Sequence, residues 1–151
     1  MAHDPGHDDV PIPALLRAAR GAYGHAIQAR LAAAGFDDLP RNGPFVLGGM
    51  ANRGGAAGDL VRQLRVSKQA ASQLVDVLVL RGYLDRQVDP DDRRRMMIAL
   101  TERGRAAAAA VRAGVEEVDE ALALRLSAAQ LAGLYAGLEA LCAIREDAEA
   151  A

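Results

Sequence analysis

Apolar side chains recur every three or four residues near the start of the chain, which is the spacing of an amphipathic helix. The positions are Leu15, Leu16, Ala19, Tyr23, Ala26, Ile27 and Leu31. Pro13 suits a first helical turn and Gly35 suits a helix end, so the pattern predicts a helix over residues 14–34. The preceding residues 1–12 have too little apolar surface to fold and are predicted to form a disordered tail.

The next part of the chain predicts three further helices. Pro44 can begin a short one, although the glycines that follow each weaken it by about 1 kcal/mol relative to alanine. The other two are predicted over residues 58–64 and 67–80, with Ser67 as an N-cap and Gly82 as a stop. Only three residues separate these two helices, which predicts a helix-turn-helix.

A hairpin and two long helices are predicted to complete the chain. Residues 84–88 and 96–100 are short runs compatible with β-strands and are joined by a polar segment, as in a β-hairpin with a charged tip. Thr101 can cap a long helix, and Ser127 with Gln130 forms a capping box for the last one.

These elements predict a mainly α protein with a small β-hairpin wing, in which a winged helix-turn-helix core carries added helices at both ends. A chain of 151 residues has the length of one domain, and we expect residues 13–151 to form it. Residues 39–100 would be the winged helix-turn-helix lobe, and residues 13–34 and 101–148 a helical region. The terminal helices carry apolar stripes too wide to cover one another, which predicts a homodimer.

Composition narrows the classes of protein. Apolar residues make up 51% of the chain and charged residues 25%, which is enough apolar material for a core. One cysteine, Cys142, rules out a disulfide framework and a cysteine-based zinc site. The sequence has no long apolar run and no signal segment, so we expect a cytoplasmic protein without a membrane partner.

The net charge of -2 is unevenly distributed. Residues 1–52 carry 4 basic and 5 acidic side chains, residues 53–105 carry 11 and 7, and residues 106–151 carry 3 and 8. A basic middle part favours a local anionic partner, although a solvated mosaic surface is the alternative.

The helix predicted over residues 67–80 has one apolar and one polar face. Ala70, Leu74 and Leu78 fall on the apolar face. Side chains on the polar face suit contacts with the base edges and phosphates of a DNA major groove, with an ordinary solvated face as the alternative. The candidate DNA-binding residues are Ser67, Lys68, Gln69, Ser72 and Gln73.

The predicted hairpin tip carries three consecutive arginines, Arg93, Arg94 and Arg95. They repel one another and add nothing to a core, whereas a narrow A-T-rich minor groove attracts them. Asp91 or Asp92 can brace an arginine by a charge-assisted hydrogen bond. The alternative is a charged tip that protects the edge of the hairpin from aggregation.

These segments closely resemble the MarR family of bacterial transcriptional regulators over roughly residues 13–148. The wing and the start of the following helix carry the most specific part of the resemblance. The matching stretches are Leu60 to Leu64, Val66 to Val75, Arg81-Gly82-Tyr83-Leu84, Asp89-Pro90-Asp91-Asp92-Arg93-Arg94-Arg95 and Leu100-Thr101-Glu102-Arg103-Gly104-Arg105.

The resemblance implies a dimeric winged helix-turn-helix regulator, more often a repressor, whose terminal helices form the dimerisation region. The helix from Ser67 would enter the major groove of a palindromic double-stranded DNA operator, and the wing would enter the flanking minor groove. Asp92 matches the family's acidic residue that orients an arginine, and Arg94 matches the arginine that enters the groove.

Family members often respond to small aromatic ligands bound between the dimerisation helices and the DNA-binding lobe. Tyr23 and Phe45 are the candidates for stacking on such an effector, and His25 for a hydrogen bond, with a structural or surface histidine as the alternative. Cys142 lies on the apolar stripe of the last predicted helix, so we expect a buried, inert thiol.

Other functional classes have less support. No phosphate-binding loop, metal-ligand spacing or cysteine-histidine pair occurs, so neither an enzyme nor a cofactor is predicted. His3 and His7, beside aspartates, could bind a stray metal ion, but a disordered tail is the preferred interpretation. A winged helix that binds only proteins is the main alternative, and it would have no need for Arg93 to Arg95.

Overall fold

The computed structural model describes residues 10–53, 57–64 and 66–150. In this part of the chain six helices and one two-stranded sheet follow one another. They are α1 Ile12–Ala33, α2 Gly43–Arg53, α3 Ala57–Gln63, α4 Lys68–Leu80, β1 Leu84–Val88, β2 Met96–Leu100, α5 Glu102–Ala123 and α6 Ala128–Ala150. The mainly α class with a hairpin wing is therefore confirmed.

The first helix begins earlier than its apolar stripe predicts. Proline occupies its first turn, and its first residue is Ile12, so the predicted tail of residues 1–12 runs one residue too far. The rest of that predicted tail, apart from residues 10 and 11, lies outside the described residues. Gly35, with φ of +80°, follows the C-cap in the left-handed conformation that glycine adopts at little cost.

The helix-turn-helix and its wing have the limits that local signals predict. Ser67 caps α4 by accepting a hydrogen bond from the N–H of Ala70 at 3.1 Å. Gly82, with φ of +75°, ends the helix. Strand β1 pairs antiparallel with β2, with Leu84 opposite Leu100 and Val88 opposite Met96. Arg65, in the predicted turn, lies outside the described residues.

The buried core lies within the helix-turn-helix and wing and extends to α1 and α5. Its fully buried large side chains are Tyr83, Leu31, Leu47, Leu78, Leu84 and Val46. The glycines of α2 take part in this packing. A β-carbon at Gly49 would lie 2.6 Å from a Leu60 methyl carbon, and one at Gly48 would lie 3.3 Å from Val111. These glycines lower helix propensity, but they let α3 and α5 approach α2 closely.

The chain divides into two compact units, residues 1–115 and 116–151. In the first unit, α1 crosses α5 at Gly114, where a β-carbon would come within 2.7 Å of the α-carbon of Ile27. Among the described residues, no helix combines the length and the apolar character needed to cross a membrane.

The second unit contains the whole of α6, several of whose large apolar side chains are exposed. They include Leu134, Tyr135, Leu138, Leu141 and Ile144. Cys142 is exposed as well, so the expectation of a buried thiol is wrong for the single chain. The reason is physical: an apolar stripe on a helix is buried only where another surface packs against it.

Candidate nucleic-acid interface

The polar face of α4 is open to solvent along its length. Leu78 is buried beneath it and Leu74 is half-buried, as the periodicity predicts. The predicted contact residues Ser67, Lys68, Gln69, Ser72 and Gln73 are all exposed. The structure thus brings the five candidate side chains together on one surface, at the N-terminal part of the helix.

The Ser67 hydroxyl group at the N-terminus of α4 is partly used as the helix cap. Its hydroxyl oxygen already accepts from the N–H of Ala70, but the hydroxyl hydrogen remains a donor. The helix dipole and the remaining free N–H groups of the first turn favour an anion there. Lys68 adds a positive charge at the same end of the helix.

The wing loop is shaped by aspartate side chains that accept hydrogen bonds from its main chain. Asp92 accepts from the N–H of Arg94 at 3.0 Å, and Asp89 accepts from the N–H of Asp91 at 2.9 Å. The N–H of Asp89 donates to the carbonyl oxygen of Arg95 at 2.9 Å, closing the loop. Arg93, Arg94 and Arg95 are all exposed at its end.

Asp92 contacts Arg94 through the main chain, and within the described residues no ion pair joins its carboxylate to an arginine of the wing. The short aspartate side chain competes for a nearby N–H group more readily than it reaches a guanidinium, as in an Asx turn. Asp92 therefore orients the backbone that carries Arg94.

An ion pair that the sequence does not reveal joins the wing to α4. Arg86, on β1, donates to the carboxylate of Asp76 at 2.5 Å, and both side chains are substantially exposed. Asp76 is the one acid on the polar face of α4 between Lys68 and Leu80, and Arg86 neutralises it. Their separation of ten residues gives no periodic signal, because the contact depends on how the hairpin folds back.

A groove of about 570 Å³ lies between α3, α4 and the wing. Lys68 and Ser72 line it from α4, and Arg86 and Ile98 line it from the strands. The helix and the wing therefore present polar and cationic side chains on one side of the same unit. This is the geometry that a protein needs to contact a major groove and its flanking phosphates together.

A second concavity, of about 650 Å³, lies between α1, the segment before α2, α2 itself and α5. Tyr23 and Phe45 both line this cleft, so the structure brings these two predicted ligand residues together. His25, the third predicted ligand residue, is exposed on α1 and is not among the residues that line this cleft. It lies two residues from Tyr23 and therefore points away from it around the helix.

The charged residues that line the cleft are all positive. Arg20 and Arg41 line it, and its other lining residues include no aspartate or glutamate. Neither arginine forms an ion pair within the described residues. The potential there favours an anionic or neutral occupant over a cation.

A polar cluster behind α4 is a further feature that sequence patterns do not indicate. The hydroxyl of Tyr83 donates to the carboxylate of Asp38, and Arg103 donates to that carboxylate and to the Tyr83 oxygen, at 3.1 Å each. The Arg103 guanidinium also lies 4.6 Å from the centre of the Tyr83 ring and 5.4 Å from that of Phe36. We call Asp38, Tyr83 and Arg103 the Asp38 cluster.

Two pKa values in the Asp38 cluster are shifted, one downwards and one upwards. The hydrogen bond from Tyr83, with the charge of Arg103, lowers the pKa of Asp38 below its usual value. Burial, with the hydrogen bond to Asp38, raises the pKa of Tyr83. The charged carboxylate and the neutral phenol are therefore the forms that this contact stabilises.

Part of the chain is similar in sequence to a known protein family. Residues 38–95 match the sequence model of the MarR family. The resemblance to the MarR family is confirmed. The matched segment runs from Asp38 to the last arginine of the wing and so contains α2, α3, α4 and the hairpin tip. No curated protein sequence has a significant match to the chain.

Solved structures have the same fold along most of the chain. The S. aureus MepR-DNA complex is 22% identical with a TM-score of 0.69, covering 89% of this chain and 98% of that one. Wild-type MarR from E. coli in its apo form is 20% identical with a TM-score of 0.61, covering 89% and 98%. S. aureus MepR bound to ethidium bromide is 21% identical with a TM-score of 0.59, covering 91% and 98%. At these identities the likeness shows the winged helix fold alone.

The segment that matches the MarR family contains the exposed polar side chains of α4 and of the wing. The candidate contacts on α4 and on the wing fall inside residues 38–95, whereas α1, α5 and α6 fall outside. Among the described residues, no cluster of histidine, cysteine, aspartate or glutamate side chains could hold a metal ion. His3 and His7 lie outside that part of the chain.

Proposed function

We propose that this chain is a DNA-binding transcription regulator of the MarR type that binds a palindromic operator as a homodimer in the cytoplasm. The observation that carries the proposal is the joint exposure of the α4 polar face and of Arg93 to Arg95, on a helix and a wing tied together by Asp76 and Arg86. In the proposed complex, α4 enters the major groove and the wing follows the minor groove. The likeness to a MepR-DNA complex supports this arrangement.

The distribution of charge supports DNA over a protein partner. Residues 53–105 carry an excess of four positive charges, and the wing arginines form no ion pair within the described residues. A winged helix that binds only proteins gains nothing from three unpaired arginines that repel one another. No catalytic role is proposed, and repression by occlusion of a promoter is the mode of action that we propose.

The test is binding of the full chain to a pool of promoter fragments from its source genome at several salt concentrations. Counterion release predicts that the logarithm of the affinity falls linearly with the logarithm of the salt concentration. A selected sequence with two inverted half-sites is expected. Retention of no fragment at low salt, or binding without any salt dependence, would refute the proposal and favour the protein-binding alternative.

We further propose that an anionic aromatic effector occupies the cleft and weakens DNA binding. Tyr23 and Phe45 supply ring surfaces, and Arg20 and Arg41 supply positive charge without a carboxylate in the lining. MepR, which binds ethidium, is similar in fold, but ethidium is a cation and the charge of this cleft opposes it.

Two small probes of equal size and opposite charge test this effector class. Benzoate and benzamidine share a ring, so a difference in their binding reports charge selection. We expect benzoate to bind more tightly than benzamidine and Arg41→Gln to remove the preference. Equal binding of the two probes, or a preference for benzamidine, would contradict the proposal.

A further inference from the structure

Asp38 lies between the cleft and the end of α4. The residues that follow it in the chain, Leu39, Pro40, Arg41 and Asn42, line the cleft. Asp38 itself contacts the other side. Its carboxylate accepts from Tyr83 and Arg103, and its carbonyl oxygen accepts from Arg81. Arg81 is the C-cap of α4, and Tyr83 follows two residues later.

The end of α4 has a second neighbour in α5. Thr101 places its hydroxyl oxygen 2.5 Å from the carbonyl oxygen of Gly82 and 3.1 Å from that of Tyr83. The backbone of Gly104 approaches the Tyr83 carbonyl so closely that a β-carbon would lie 2.0 Å from that oxygen. The junction between α4 and β1 is therefore held on one side by α5 and on the other by Asp38.

We propose that Asp38 is a positioning residue that couples the cleft to the proposed recognition helix α4. A change in the cleft wall at residues 39–42 moves the adjoining Asp38. Tyr83 is fully buried, so its hydroxyl loses its acceptor when the carboxylate moves away, and a buried donor without an acceptor is costly. The end of α4 then shifts or loosens. This inference rests on the proposed function only for the statement that α4 contacts DNA.

Amide hydrogen exchange of the free, full-length protein tests the first step without DNA or effector. The reporters are the N–H groups of Arg81, Gly82 and Tyr83, which donate to Val77, Val79 and Leu78 at 2.9, 3.0 and 2.9 Å. Asp38→Asn is expected to raise their exchange rates about tenfold, the change that about 1.4 kcal/mol of opening free energy produces. Asp37→Asn is the matched control, because Asp37 is exposed and makes no hydrogen bond within the described residues. Equal exchange in the two variants would overturn the proposal.

Tyr83→Phe keeps the ring and removes only the hydroxyl, so it supplies the same comparison if Asp38→Asn does not fold. It is expected to raise exchange at the same three amides. Unchanged exchange at all three in Tyr83→Phe would overturn the role of the Tyr83 hydroxyl in the coupling.

A double-variant cycle tests the coupling itself. Pro40→Gly loosens the cleft wall through the backbone, because it frees a φ angle that proline fixes. In the otherwise natural chain, Pro40→Gly is expected to raise exchange at residues 81–83, and on the Asp38→Asn background it is expected to add little. Additive effects would show that the wall and α4 are independent, which would overturn the proposal even if Asp38 stabilises the fold.

DNA-binding measurements on the natural chain and on Asp38→Asn distinguish failure of this inference from failure of the proposed function. Asp38→Asn is expected to weaken operator binding several-fold with an unchanged salt slope, because no phosphate contact is lost. If the natural chain binds no DNA, the proposed function fails while the exchange results still decide the coupling. If the natural chain binds DNA and Asp38→Asn binds equally well, the coupling to α4 is refuted.

Discussion

The backbone of Gly104 in α5 passes the carbonyl oxygen of Tyr83 with no room for a side chain. A β-carbon at Gly104 would lie 2.0 Å from that oxygen and 3.1 Å from a Leu100 methyl carbon. Gly104→Ala is therefore expected to destabilise the protein by about 3 kcal/mol, because either the start of α5 or the α4–β1 junction must move. Equilibrium unfolding in urea measures the change.

Gly21→Ala is the matched control for that substitution. Gly21 lies within α1, and a β-carbon there meets nothing within 4 Å. Alanine at this helical position is expected to stabilise the protein by about 0.5–1 kcal/mol, because glycine loses more backbone entropy on folding. If Gly104→Ala stabilised the protein as much as Gly21→Ala does, helix propensity would dominate at Gly104 and the close approach to Tyr83 would be refuted.

The contact between Asp38 and Tyr83 predicts a pH dependence with a defined sign. The pKa of Asp38 is lowered from 3.8, so its contribution to stability is complete above pH 3.8 and is lost as the pH falls through the lowered value. The pKa of Tyr83 is raised from 10.0, so its contribution is complete below pH 10.0 and is lost as the pH rises through the raised value.

Comparison with Tyr83→Phe measures this dependence. The difference in unfolding free energy between the natural chain and the variant is expected to be constant between these limits and to shrink on either side. In an alkaline titration followed by tyrosinate absorbance, the component that ionises above the usual tyrosine pKa of 10.0 should be absent from the variant. If that component remained in Tyr83→Phe, the raised pKa would belong to another tyrosine.

Substitutions in the wing and in α4 are expected to affect DNA binding in different ways. Arg94→Ala should weaken binding about tenfold or more, with a reduced salt slope, because a charge is lost from the wing. Gln73→Ala should cost about 1–3 kcal/mol at the selected operator and relax base preference, with the salt slope unchanged. Operator affinity at several salt concentrations measures the affinities and the salt slopes. Competition between the operator and single-base variants of it measures the base preference.

Gln87→Ala is the control for the helix substitution. Gln87 is exposed on β1 and faces away from Leu84, Arg86 and Val88, since side chains alternate along a strand. It is expected to bind the operator as the natural chain does. Loss of base preference in Gln87→Ala, with retention in Gln73→Ala, would move the base contact from α4 to the wing.

Sequence signals within a few residues predict the helices and strands, whereas contacts between residues distant in sequence form the Asp38 cluster. The Ser67 cap, the Gly82 stop and the capping box of Ser127 with Gln130 depend on neighbours within a few residues, and each is present. The exposed face of α4 follows from its helical period in the same way. The two strands of the wing pair over the predicted limits, with Leu84 opposite Leu100 and Val88 opposite Met96.

The Asp38 cluster could not be predicted in this way. Its three members come from the segment before α2, the residue before β1 and the first turn of α5, and no periodicity connects them. Gly48 and Gly49 gave a misleading signal, since their low helix propensity is offset by the close packing that they allow. The expectation that Cys142 is buried is wrong for the single chain. The apolar stripe on α6 predicts a face that can be buried, but it does not identify a surface that packs against it.

The apolar stripe of α6 predicts self-association. Leu138 and Leu141 are among its exposed side chains, and a helix of 23 residues with such a stripe gains stability when a second copy covers it. Leu138→Glu places a charge on the stripe and is expected to shift sedimentation from dimer to monomer at micromolar concentration. Leu80→Glu is the control, because Leu80 is 85% exposed on α4, outside α6.

Cys142 supplies an independent readout of the same contact. The thiol is exposed in the single chain and lies one helical turn from Leu138. In the natural protein its labelling by a thiol reagent should slow as protein concentration rises, because the dimer covers it, whereas in Leu138→Glu labelling should be fast at every concentration. Fast labelling of a natural protein that sediments as a dimer would place the dimer contact away from this part of α6.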